Sequence, residues 1–133
     1  MNRATQTLAM ALAILAGVMG IEHGLGEALQ GYRPTEGVFI LSWPDSAFFE
    51  IMSGEPAMTV VPNTLITGIL AIFFSTIFLT VVLLFKLRRQ SLPYLGGLLL
   101  LMLLTGGGFG PPILGTIAVL IGLKVDAPLR GWQ

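Results

Sequence analysis

The sequence contains no cysteine, so disulfides, thiolate-bound metals and cysteine nucleophiles are all excluded. It contains a single histidine, which is thin support for a transition-metal site. Charge is scarce as well. Asp, Glu, Lys and Arg make up 11% of the chain, against about 25% in soluble domains. No nucleophile elbow, HExxH pair, phosphate-cradling glycine loop or basic nucleic-acid patch is present. No catalytic activity, cofactor, bound metal or nucleic-acid partner is therefore expected.

What the chain has in abundance is apolar surface. Its 133 residues are 54% hydrophobic, with a mean hydropathy of +0.86. One domain of this length cannot hide that much apolar area in a core. A bilayer as solvent resolves the excess, and the lipid bilayer is the first expected partner.

Apolar runs set the expected layout. Ala4 to Ile21 reaches roughly 27 Å as a helix, enough for a hydrocarbon core, and predicts a first crossing over about 5–22. A signal peptide, with Arg3 as its basic end, is the rival reading of that segment. Thr64 to Phe85 is uncharged and spans roughly 33 Å. It predicts a second crossing over 63–86, opened by Pro62 and Asn63. Ser91 to Leu123 as one helix would be about 50 Å long, too much for one passage. GGGFGPP at 106–112 breaks it, because three glycines and a double proline cannot continue a helix. Two short crossings, 92–105 and 111–124, are predicted, with a re-entrant hairpin as the alternative. A tail, 125–133, follows.

Charge placement orients the layout. Basic residues beside short loops mark the cytoplasmic side. With four crossings, Arg3, Lys86, Arg88, Arg89, Lys124 and Arg130 all fall inside, and Arg33 alone falls outside. Both termini are then cytoplasmic, in a bacterial or archaeal plasma membrane, with 22–62 outside. The outer loop, 23–62, holds the β-rich stretch GVFILSW. Beyond it, 44–53 reads as a short amphipathic helix lying in the headgroup layer, started by Ser42 and Pro44. The expected fold is an all-α integral membrane protein: a four-transmembrane-helix bundle whose extracytoplasmic loop carries that helix.

Small residues recur every fourth position in the first crossing. Ala9, Ala13 and Gly17 form one row, and Ala16, Gly20 and Gly24 an adjacent one. Such rows let helices approach closely in lipid, within the chain or across a homo-oligomer. Gly96, Gly97, Gly115, Ala118 and Gly122 suggest the same use in the last two helices.

Chemistry is concentrated in GIEHGLGEALQG. His23 and Glu27, four residues apart, share a helix face. With Glu22, and with Glu50 or Glu55 brought in from the loop, they suit a ligand or proton site. A structural hydrogen-bond network that caps the helix exit uses the same residues. The outer turn Gly106, Gly107, Gly108, Pro111 and Pro112 reads either as a tight interhelical connection or as carbonyls lining an ion path. Three functional expectations follow. The least demanding is a structural or accessory membrane component that docks a membrane protein partner through its acidic outer loop. A small oligomeric channel or transporter is the second. An outer-surface ligand or metal site at Glu22, His23 and Glu27 is the third.

Overall fold

A computed structural model of the chain describes residues 3–44, 46–47 and 54–124. Those residues form four helices and a two-stranded ribbon: α1 (Arg3–Ala28), β1 (Phe39–Ser42), β2 (Glu55–Met58), α2 (Thr64–Phe85), α3 (Leu92–Leu104) and α4 (Gly110–Gly122). α1 and α2 are each long and apolar enough to cross a membrane, and only 28% of the apolar window of each is buried within the chain. α3 and α4, at 13 residues each, are shorter apolar helices.

The helix limits follow local chemistry. Asn63 caps α2, its side-chain oxygen accepting from the Ile66 N–H at 3.1 Å. Lys86 ends that helix in a left-handed conformation (φ 50). Pro111 and Pro112 fall in the first turn of α4, where a helix has no internal use for their missing N–H groups. α1 runs six residues beyond the expected exit at residue 22, through Ala28. Residues 23–28, placed beyond the crossing, continue the helix, in keeping with the shared helix face expected of His23 and Glu27. They continue because His23, Gly24, Gly26 and Glu27 are buried against other elements, and packing overrides the weak propensity of two glycines. Of the amphipathic helix expected over 44–53, only Pro44, Ser46 and Ala47 are described, and none of them is helical. Its remaining residues, and the tail 125–133 with Trp132, lie outside the described part.

α1 packs on both α2 and α4, and α3 closes the ring between those two. Both small-residue rows of α1 are used inside the chain: Ala9, Ala13, Ala16, Gly17, Gly20 and Gly24 are all buried. The closest approach is between Gly24 and Gly68, where a Cβ on Gly24 would stand 2.7 Å from the Gly68 carbonyl oxygen. On α4, Gly115 admits Leu99 of α3. Gly96 and Gly97, expected to pack in the same way, have nothing within 4 Å of an added Cβ. They lie on the outward side of α3, where doublet spacing cannot repeat on one helical face.

Ala9, Ala13 and Ala16 pack with Phe78, Val82, Leu95, Leu99 and Met102 in the core, while other large apolar side chains point outward, among them Leu8, Leu15, Ile69, Phe73, Leu84 and Leu120. Thr76 and Thr80, also outward, donate back to the carbonyls of Ile72 and Thr76 at 2.7 and 2.8 Å, so no hydroxyl there is left bare.

One end of the bundle is tied together by the ribbon and loops. β1 and β2 pair antiparallel, with Ser42 opposite Glu55. The Thr64 N–H donates to the Arg33 carbonyl, and the Gly106 N–H to that of Met58. An isolated bridge joins Thr59 to Thr105. At the other end, Leu87 and Leu92 pack against Gly122.

The Gly24–Gly68 contact predicts a contrast between two glycines. Gly24→Ala puts a methyl group against backbone atoms of α2, and overpacking of that kind costs about 1–3 kcal/mol. Gly96→Ala meets open space and gains about 0.5–1 kcal/mol of helix propensity. Reversible unfolding in mixed micelles reads both. Equal effects at the two positions would show that the α1–α2 contact is not tight.

Candidate functional site

Apart from Arg3 in its first turn, α1 carries its ionisable residues on its last two turns. Glu22 stands at the edge, with its side chain 39% exposed, and His23 beside it is only 1% exposed. Glu27, one turn on, is fully buried. A polar group in such a place costs free energy unless it is paired, and the ribbon supplies the partners. Ser42 and Glu55 are opposed in register, so their side chains project from one face of the ribbon. Ser42 Oγ donates to Glu27 Oε1 at 3.0 Å. Glu55 Oε1 lies 3.0 Å from His23 Nε2.

The imidazole is held from both sides. Its Nδ1 lies 3.1 Å from the Met19 carbonyl oxygen, a pure acceptor, so Nδ1 carries the proton and donates it there. Glu22 Oε2 is 3.5 Å from the same nitrogen. Nε2 is close to Glu55, yet the alignment of the two does not make a directed hydrogen bond, and Nε2 has no such partner among the described residues. Glu27 Oε2 and Glu55 Oε2 are likewise buried without a hydrogen-bond partner among the described residues. Burial and then the neighbouring Glu22 carboxylate push the Glu55 carboxyl up from 4.5 to about 7.

A lid of glycine closes the site. Gly106 and Gly108 both adopt positive φ (84 and 74), the region where a side chain is strained. An added Cβ on Gly106 would collide with Glu27 Oε2, and one on Gly108 with the His23 ring. Gly107 is pressed against the backbone of Met102. The two segments singled out in the sequence, GIEHGLGEALQG and GGGFGPP, thus meet face to face. Phe39 of β1 and Phe109 extend the cover, with ring centroids 6.3 Å apart. Beside Glu27 a hydroxyl pair, Thr59 and Thr67, bond at 2.9 Å and both reach the Val61 carbonyl.

The structure divides the expected residues into two groups. Glu22, His23 and Glu55 each offer a ligand atom, and these atoms lie within 4.8 Å of one another. Glu27 shares the buried face of His23 but is engaged by Ser42 instead. Glu50 lies outside the described residues. Ala13, Gly17, Gly20 and Gly24 serve the helix contacts, and Pro111 and Pro112 start α4. Ser42 is a site residue that sequence reasoning passed over as a helix-start signal. Its signal would have been the strand period of GVFILSW, which places Ser42 on the inward face with Ile40.

No protein-family model, curated protein or solved structure matches the chain.

Proposed function

We propose that this chain is a four-crossing integral membrane protein with both termini cytoplasmic and 22–62 outside, and that its outer end is a small-ligand binding site built around His23. The observation that carries the binding reading is His23 itself. Its Nε2 is sealed beneath Gly108 with no directed hydrogen bond among the described residues. Buried polar groups in proteins nearly always find a partner, so an orphaned ring nitrogen facing carboxylates speaks for a bound species.

The membrane reading is supported by the surface, where large apolar side chains such as Leu8, Phe73, Leu84 and Leu120 stand exposed along the helices. Four crossings are favoured over a re-entrant pair because the α3–α4 turn reaches the ribbon, through Gly106 N–H and the Met58 carbonyl. Helices of about 20 Å leave a mismatch that local bilayer thinning accommodates. The same turn is occupied in covering His23 and Glu27, which favours a binding site over a pore lined by its carbonyls.

A second reading, an accessory component that docks a partner, draws on the outer surface of the same end. Leu29, Tyr32, Phe39 and Val60 are exposed there at 64–76%. An apolar patch away from the helix sides marks an interaction surface.

Topology is open to a clean test, because the chain has no cysteine of its own. A single cysteine replacing Glu36 reacts with a membrane-impermeant maleimide in intact cells, whereas one replacing Arg89 reacts only after permeabilisation. Labelling of both, or of neither, in intact cells contradicts the proposed orientation. Native mass spectrometry of protein extracted gently from its own host tests the binding reading. A small retained mass in the wild type that is absent from His23→Gln supports it. A bare wild-type chain removes that support, and a stoichiometric foreign subunit moves the accessory reading ahead.

A further inference from the structure

We propose that the outer-end site binds one first-row divalent transition-metal ion, with His23 Nε2 and carboxylate oxygens of Glu55 and Glu22 as ligands. This inference rests on the small-ligand reading above and names the ligand class. It starts from the tautomer. The Met19 carbonyl takes the Nδ1 proton, which leaves Nε2 as a bare lone pair. That lone pair stands 3.0 Å from a carboxylate oxygen, Glu55 Oε1. Two electron-rich atoms at such a distance repel each other unless a cation lies between or beside them.

A proton or a metal ion could supply that charge. A proton on Glu55, which hydrogen-bonds Glu22, relieves one pair at a time, whereas a metal ion engages all three groups at once. Here a third group converges: Glu22, His23 and Glu55 each place a ligand atom within 4.8 Å of the others, and Glu22 also hydrogen-bonds Glu55. In a tetrahedral site with bonds of about 2.1 Å, ligand atoms stand roughly 3.4 Å apart. The Glu55–His23 separation is already at that scale. Glu22, 3.5 Å from Nδ1, has to turn toward the Nε2 side, and its partly exposed side chain leaves room for that. Two carboxylates and a neutral imidazole also balance a dication, which suits a site buried at the end of an apolar bundle.

The surroundings follow the usual construction of such sites. A ligating histidine gives its other ring N–H to a backbone carbonyl, which fixes the ring and the tautomer, and Met19 fills that place. One nitrogen and two oxygens without sulfur select first-row ions such as Zn²⁺, Co²⁺, Mn²⁺ or Fe²⁺ over thiophilic ones. Three protein ligands leave a fourth position, on the side of half-exposed Glu22, for water or an external group.

Co²⁺ alone, added to metal-stripped full-length protein in detergent, is the probe. The expected result is visible d–d absorption saturating at one Co²⁺ per chain and displaced by Zn²⁺. Affinity should fall roughly tenfold or more in Glu22→Gln and in Glu55→Gln, and remain unchanged in Glu36→Gln, an exposed acid outside the cluster. Glu22→Gln keeps the test decisive should His23 or Glu55 variants fail to fold, because Glu22 sits at the edge of the site. Absence of Co²⁺ binding by the wild type, or equal binding by Glu22→Gln and wild type, overturns the metal assignment. In that event, a small non-metal mass retained by wild type and lost in His23→Gln leaves the binding-site reading standing. Loss of both signals removes both.

Discussion

The ribbon end of this molecule is organised by the burial of two ionisable side chains, one turn apart, on a helix long and apolar enough to cross a membrane. His23 and Glu27 cannot be left unpartnered in an apolar setting without a cost of several kcal/mol. The ribbon brings two polar side chains to them, because opposed residues of an antiparallel pair share a face. Ser42 meets Glu27 and Glu55 meets His23 from one register. The glycine turn answers the remaining constraint, which is room. Any side chain at Gly106 or Gly108 would occupy the space of the Glu27 carboxylate or the His23 ring.

Absence of side-chain bulk works in the same way along the shaft of the bundle. In lipid, helices gain little by hiding apolar surface from one another, so close van der Waals fit has to supply the attraction. Gly17, Gly20 and Gly24 bring α1 onto Leu79, Ser75 and the Gly68 backbone of α2. That tight seam carries α1 straight past its apolar run to Ala28, and so sets His23 and Glu27 under the ribbon. Packing in the middle of the bundle thereby fixes where the polar residues at its end must lie.

The helices were largely legible in the sequence. Apolar runs, Asn63, the Pro111–Pro112 pair and the glycine break define α2, α3 and α4 to within about two residues of where they lie. The continuation of α1 past its apolar run was legible in the shared face of His23 and Glu27, but the burial of that end was not, since contacts made far away in sequence supply it. Nor was the choice between small-residue positions. Every fourth residue in α1 faces a neighbour, whereas adjacent Gly96 and Gly97 on α3 face outward. At the site, Glu22, His23 and Glu27 stood out as charges ending an apolar run. The pairing of His23 with Glu55 rests on strand register, and EPAM, with a proline and an acid in four residues, carries little strand signal. The cover of His23 by Gly108 required knowing that α3 and α4 return to the same end.

Because the chain has a single histidine, its ring nitrogens can be observed without ambiguity. The most direct measurement is the ¹⁵N spectrum of histidine-labelled protein in micelles, recorded metal-free near neutral pH and again after Zn²⁺. The account predicts one fixed neutral tautomer, with the proton on Nδ1 and a bare Nε2 whose resonance alone shifts strongly on adding Zn²⁺. A ring that averages between tautomers as a free imidazole does, or one that Zn²⁺ leaves unchanged, would contradict it.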